Sequence, residues 1–162
     1  MTQTESKRPR LSRRRLILTG GGGAVALAVA LAGGAYWRAQ APDHDNRRLS
    51  VAEAHDQLKS GAITLVDIRT SSEWRATGIA DGSHPLDMRR KDFIAALDHL
   101  VEQDRSAPIA LICARGVRSA RMTLALSAAG FSNIIDVPEG MLGSRAGPGW
   151  LASNLPVVTW DG

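Results

Sequence analysis

The chain has 162 residues and a single cysteine, Cys113. One thiol cannot close an internal disulfide, so no covalent staple holds the fold. The four histidines, His44, His55, His84 and His99, show no metal-ligand spacing to one another or to Cys113, which leaves no metal site and makes each a surface or partly buried side chain. Aromatic residues are scarce at 4%, and no internal repeat is visible. The formal charge of +4 is not spread evenly. Residues 1 to 41 hold seven basic residues against one acidic, a net of +6, and the remainder holds 13 against 15, a net of −2. A mildly acidic body without a basic stripe lacks the electrostatic footprint of phosphate-backbone binding, so nucleic acid is not an expected partner.

What is present divides the chain into three parts. Residues 16 to 37 are 22 positions without a charge, preceded by the basic cluster Lys7, Arg8, Arg10, Arg13, Arg14 and Arg15 and closed by Arg38. About 20 apolar residues suffice to span a bilayer as a helix. Six glycines dilute this run, as in weakly hydrophobic export signals, and Ser12-Arg13-Arg14-Arg15-Leu16-Ile17-Leu18 is similar to a twin-arginine address. An ordinary signal anchor, its arginines kept cytoplasmic by the positive-inside rule, exports the same body. Ala39-Gln40-Ala41 has the small-x-small form of a peptidase site, but Pro42 directly after it favours a retained anchor over a cleaved, soluble periplasmic form. The expected organisation is residues 1–41 as basic region and export signal or single-pass anchor of a bacterial inner membrane, 42–48 as a solvated linker, and 49–162 as one domain on the periplasmic side.

Within the body, helical and strand-like segments alternate, the pattern of an α/β fold with a central parallel sheet flanked by helices. Ser50-Val51-Ala52-Glu53 and Thr70-Ser71-Ser72-Glu73 both have the capping-box form that opens a helix. Short apolar runs at 63–66, 109–112 and 133–137 read as buried strands, with a brief one at 84–86. A helix is expected over 91–101 with Phe93, Ile94, Leu97 and Leu100 on its core face, and another from 117 or 118 to 129, closed by Gly130. Asp67, Ile68 and Arg69 fall in a strand-to-helix turn.

The chemistry is expected where Cys113-Ala114-Arg115-Gly116-Val117-Arg118 joins a buried strand to a helix start. Main-chain N–H groups of such a loop and first turn converge on an anion. A free thiol ionises near pH ~8.5, and a helix N-terminus with nearby arginine lowers that value. Gly116 lets the backbone turn tightly. Arg115 and Arg118 can pair with an oxyanion such as a sulfonate.

The run Ile112-Cys113-Ala114-Arg115-Gly116-Val117-Arg118-Ser119-Ala120-Arg121 resembles the active-site segment of the rhodanese family. Val66-Asp67-Ile68-Arg69 with Glu73-Trp74 is similar to the family's aspartate-x-arginine turn and glutamate-aromatic pair. Ala128-Ala129-Gly130-Phe131, Glu139-Gly140 and Leu155-Pro156-Val157 match its C-terminal landmarks, so the resemblance covers roughly residues 47 to 160. It implies a sulfurtransferase that carries sulfur as a Cys113 persulfide on the loop Ala114 to Arg118. A small anionic donor such as thiosulfate supplies the sulfur, a thiol, cyanide or protein accepts it, and no cofactor takes part. Asp67, Arg69 and Glu73 read as a supporting charge network. The family's glycine-histidine-isoleucine-proline-glycine segment is replaced here by Thr77-Gly78-Ile79-Ala80-Asp81-Gly82, which changes the packing of that loop.

Two rivals share part of this pattern. A cysteine-dependent phosphatase uses the same thiolate, amide cradle and arginine, but places five residues between cysteine and arginine, whereas Cys113 and Arg118 enclose four and Ile112 stands where a histidine is expected. A non-catalytic relay or binding module keeps the fold and exchanges sulfur only with a protein, through mouth residues such as Arg115, Met141 and Arg145; fold does not separate it from an enzyme.

Overall fold

Local sequence starts the helices. In the computed structural model, which describes residues 40 to 162, the Ser50 hydroxyl accepts the Glu53 N–H at 3.2 Å and the Glu53 carboxylate accepts the Ser50 N–H at 2.8 Å. That reciprocal cap opens α1 (Val51–Lys59), and the same exchange between Thr70 and Glu73 opens α2 (Ser71–Thr77). The expected leader, with its basic cluster and uncharged run, lies outside the described residues. Among the described residues no helix is long and apolar enough to cross a membrane.

Three apolar runs become strands β1 (Thr64–Asp67), β4 (Ile109–Ile112) and β5 (Ile134–Val137). Between β1 and β4 come β2 (Ile79–Ala80), β3 (His84–Pro85) and α3 (Phe93–Leu100); α4 (Val117–Ala128), α5 (Gly149–Ala152) and β6 (Val157–Val158) complete the chain. The main sheet is parallel, in the order β3-β1-β4-β5. Strands covered on both faces cannot alternate apolar with polar, which is why β4 and most of β5 read as continuous apolar runs. Their alternation instead sorts side chains between two cores. Leu65, Ala110, Ile112, Ile135 and Val137 face α1 and Trp150, whereas Val66, Ile109, Leu111, Cys113 and Ile134 face α3 and α4 through Phe93, Leu97 and Leu126. Asp67, Ile112 and Val137 stand in one row at the strands' carboxyl ends, so the loops that follow them gather along one edge, where α/β sheets place their ligands.

Several boundaries differ from the sequence reading. The first strand runs one residue later than 63–66 and takes in Asp67, because its ladder with β4 extends to Asp67 opposite Ile112. The helix expected over 91–101 spans only Phe93–Leu100, and Ile94, assigned to the core face, is 43% exposed while Leu97 is fully buried. A helix of this length covers the sheet with a narrow stripe, and position 94 rolls off it. Residues 42–48 are not a solvated linker throughout. Asp136 donates its N–H to the Arg47 carbonyl and accepts the Leu49 N–H, so residues 47 to 49 run along the free edge of β5, and His44, expected near the surface, is 7% exposed. The departure at 77–82 has its own structure: Ile79 and Ala80 pair antiparallel with Val158 and Val157, tying that turn to the C-terminal segment.

Leu97→Ala should cost about 2–5 kcal/mol through the cavity it leaves, whereas Ile94→Ala should stay within about 0.5 kcal/mol. Urea denaturation midpoints of the two variants check this contrast; equal losses would contradict the assignment of faces.

Candidate active site

Cys113 follows β4 directly and is 1% exposed. The chain then turns so that Gly116, at φ +81°, stands immediately before α4 in the left-handed region that favours glycine. Any Cβ at 116 would collide with the Pro138 carbonyl oxygen. Opposite it, Gly140 (φ +70°) lies so close to the loop that a Cβ there would be 2.6 Å from the Ala114 carbonyl oxygen. Two main-chain bonds complete this clamp: Met141 N–H to the Cys113 carbonyl at 2.8 Å and Leu142 N–H to the Ala114 carbonyl at 2.9 Å. Residues 138 to 142 therefore form a strap that fixes the loop from outside.

With the carbonyls so engaged, the loop's donors are left over. Among the described residues no acceptor takes the N–H groups of residues 114 to 118, and the next one, from Ser119, points at Cys113 Sγ at 3.4 Å. Such a row at a helix start carries partial positive charge. The Ser119 hydroxyl lies 3.6 Å from Sγ, in position to accept the thiol proton, and donates to the Gly116 carbonyl at 3.0 Å. Ala114 and Val117 are partly exposed and Arg115 is exposed, so these three form the outer lip of the loop that carries the buried sulfur.

Arg118 is not the free anion receptor that the sequence suggests. Its guanidinium bonds both oxygens of Glu73, Nη1 to Oε2 at 2.8 Å and Nη2 to Oε1, with each side chain about one-third exposed. That pairing is the main reason the Arg118 guanidinium is held above its ordinary value. The supporting network is thus two separate pairs. Asp67 and Arg69 form the other, fully buried: Nε and Nη2 of Arg69 grip the Asp67 carboxylate at 2.7–2.9 Å, and the remaining donors reach Thr77 Oγ1 and the Gly78 carbonyl at 2.7 Å. Every nitrogen of that guanidinium group donates within β1, α2 and the turn after it, so the pair locks those elements together.

Three residues near the sulfur had not been singled out. Ser119 sits one position past the loop, and its serine-at-helix-start place is the signal that could have found it. Asp136 of β5 and His44 are buried against each other, His44 Nε2 to Asp136 Oδ2 at 3.2 Å. Burial pushes the Asp136 carboxyl above its ordinary value, while the Ser119 hydroxyl and the His44 ring beside it pull it down. No spacing in the sequence announces a contact between residues 92 positions apart. Of the expected mouth residues, Arg115 and Arg145 are exposed, but Met141 turns its side chain into the core with Trp150 and is fully buried.

Glu73 is held well below its ordinary value of 4.5, at about 2, first by the Arg118 hydrogen bonds, against burial acting upward, and then by the Thr70 N–H and hydroxyl. A depressed carboxyl stabilises the fold at pH above its unfolded value, and that contribution fades as pH falls through the folded value. Stability of the parent should therefore fall more steeply between pH 4.5 and about 2 than that of Glu73→Gln, read from urea midpoints at stepped pH. Parallel curves would show that the pair contributes nothing.

Known proteins share this architecture. The family model described as Rhodanese-like domain matches residues 50–145. An uncharacterized protein of Rickettsia rickettsii is 29% identical over 111 residues, which make up 64% of this chain and 90% of that protein. Among solved structures, the polysulfide-sulfur transferase homodimer of Wolinella succinogenes superposes with a TM-score of 0.52 at 25% identity, covering 87% of this chain and 93% of the other. A rhodanese-related protein of Thermoplasma volcanium does so with a TM-score of 0.51 at 29% identity, over 70% and 99%. With more than half its length matched, and with the cysteine loop placed between β4 and α4, this chain belongs to the family of rhodanese-like domains.

Proposed function

We propose that this domain is a sulfurtransferase in which Cys113 accepts a sulfane sulfur and hands it on as a persulfide. The observation that carries the reading is the placement of Sγ at the start of α4, in a loop whose N–H groups have no acceptor among the described residues and whose carbonyls at 113 and 114 are tied to the strap. Fixed donors of this kind stabilise a charged sulfur without reorganising when the charge arrives. In the first half-reaction Sγ, as thiolate, forms a bond to the outer sulfur of the donor, and the donor's sulfur–sulfur bond breaks. The leaving group, sulfite in the case of thiosulfate, departs with the electron pair. In the second half-reaction an acceptor thiolate or cyanide bonds to the outer persulfide sulfur and Cys113 leaves as thiolate again.

The geometry supports one refinement of donor class. Arg118 is occupied by Glu73, so Arg115 is the loop arginine open to a sulfonate, and the sulfur lies under a lip formed by Ala114 and Val117. A slender sulfane chain meets less steric resistance there than a tetrahedral head group. Similarity to a protein named a polysulfide-sulfur transferase points the same way. Polysulfide is accordingly proposed as a better donor than thiosulfate, and a protein persulfide as an alternative source should the domain act as a relay.

Intact-mass analysis tests both levels. The protein should gain one sulfur atom from polysulfide faster than from thiosulfate, and Cys113→Ser should gain none. No sulfur gain from any donor would remove the sulfurtransferase reading, and uptake from a protein persulfide alone would leave the relay.

The leader is proposed to carry this domain across a bacterial inner membrane, with residues 1–41 either retained as a single-pass anchor or cleaved. The support is the basic cluster before an uncharged run of 22 residues. A reporter active only outside the cytoplasm, fused after Gly162, should be active; activity of a cytoplasm-dependent reporter at the same point would contradict this orientation.

A further inference from the structure

The reaction above uses the loop, but it leaves a buried polar chain behind the loop without a task. Parallel pairing sets Asp136 beside Leu111, and Leu111 shares its sheet face with Cys113, so the Asp136 carboxyl lies on the face covered by α4. On the buried side of that helix stand Ser119 and, one turn later, Thr123, both fully buried. Ser119 is in contact with Cys113 Sγ on one side and acts on the Asp136 carboxyl on the other. Asp136 Oδ2 is held by His44, and Arg48, itself paired with Asp43 at 2.8 Å, lends a more distant positive charge.

The chain is also incompletely satisfied. Asp136 Oδ1, His44 Nδ1 and Thr123 Oγ1 are buried side-chain atoms with no hydrogen-bond partner among the described residues. Unpaired buried polar atoms are costly and are retained where they serve a purpose. The Ser119 hydroxyl, which here donates to the Gly116 carbonyl, is the group that touches the thiol and also acts on that carboxyl.

We propose that Asp136 is a positioning residue for Cys113, acting through Ser119, so that the thiol and the buried carboxyl hold one negative charge between them and exchange it by a two-proton shift. This rests on Cys113 being the sulfur carrier. In one state the Cys113 S–H donates to Ser119 Oγ, and the Ser119 O–H donates to the Asp136 carboxylate. In the other the Cys113 proton has passed to Ser119 Oγ, the Ser119 proton has passed to Oδ1, and the hydrogen bonds have reversed. A neutral carboxylic acid then donates to Ser119, which donates to the Cys113 thiolate. No proton enters or leaves, and the charge moves from a carboxyl that burial disfavours as an anion to a sulfur faced by Arg118 and the first amides of α4. The same reversed chain would hold the persulfide form.

Two acids that share a proton in this way lose their protons in two macroscopic steps that belong to the pair rather than to either residue. The rate of Cys113 alkylation by iodoacetamide should therefore rise in two steps with pH in the parent protein. Asp136→Asn should reach the full rate in one step and lose the upper one. Ser119→Ala should also show a single step, displaced to higher pH because the thiolate loses its hydroxyl donor, and Ser119→Thr should restore both. An infrared carboxylic-acid band that disappears when Cys113 is alkylated, and is absent from Asp136→Asn, would identify the protonated partner. A single step in the parent that coincides with that of Asp136→Asn would overturn the proposal, as would two steps persisting in Asp136→Asn. If Asp136→Asn does not fold, the Ser119 variants and the infrared band decide alone. Because alkylation needs no sulfur donor, a protein that shows both steps but takes up no sulfur would refute the sulfurtransferase reading and leave the coupling standing.

Discussion

A main-chain clamp governs this site. The loop at 113–118 is stabilised less by its own side chains than by the strap at 138–142, which takes the carbonyls of Cys113 and Ala114 and approaches Gly116 so closely that no side chain fits between. Holding carbonyls outward turns the amide donors the other way. The electrostatic character of the sulfur site thus follows from backbone geometry, and main-chain amides carry no proton that pH removes. It also explains why two glycines from distant parts of the chain are required at one point.

The charged side chains around the clamp divide into two kinds of work. Asp67 and Arg69 are buried against each other, and they hold the turn after β1 against the end of α2. Removing one partner of such a pair strands the other charge in the interior, whereas a matched pair roughly offsets its own desolvation. Glu73 and Arg118 lie nearer the surface and link α2 to the first turn of α4. There Glu73 offsets part of the positive charge that Arg118 brings to the helix start.

Much of this was legible from residues alone because the governing forces are local. Both capping boxes, the buried strands, the placement of Cys113 between a strand and a helix, and the resemblance of that segment to a family all come from runs of fewer than a dozen residues. What sequence could not supply depends on long-range contact. His44 reads as a solvated residue before the domain, and only its position across from Asp136 gives it a buried role. Arg118 looks available until α2 is folded against it. Ile94 satisfies a helical period yet lies outside the contact, since a short helix meets a flat sheet along one line. Val157 and Val158 belong to a pairing with Ile79 and Ala80 that no local pattern encodes.

The edge contact of residues 47 to 49 with β5 has a consequence for how precisely the body must begin. Side chains alternate along an extended segment, so a shift of one residue in its alignment would reverse every orientation. His44 would swing to solvent, and the carboxyl of Asp136 would remain in an apolar interior with its remaining neighbours unable to compensate. Residues 44 to 49 are therefore a register mark for the half of the sheet that carries Cys113: their alignment decides whether the interior acid of β5 is accompanied or stranded.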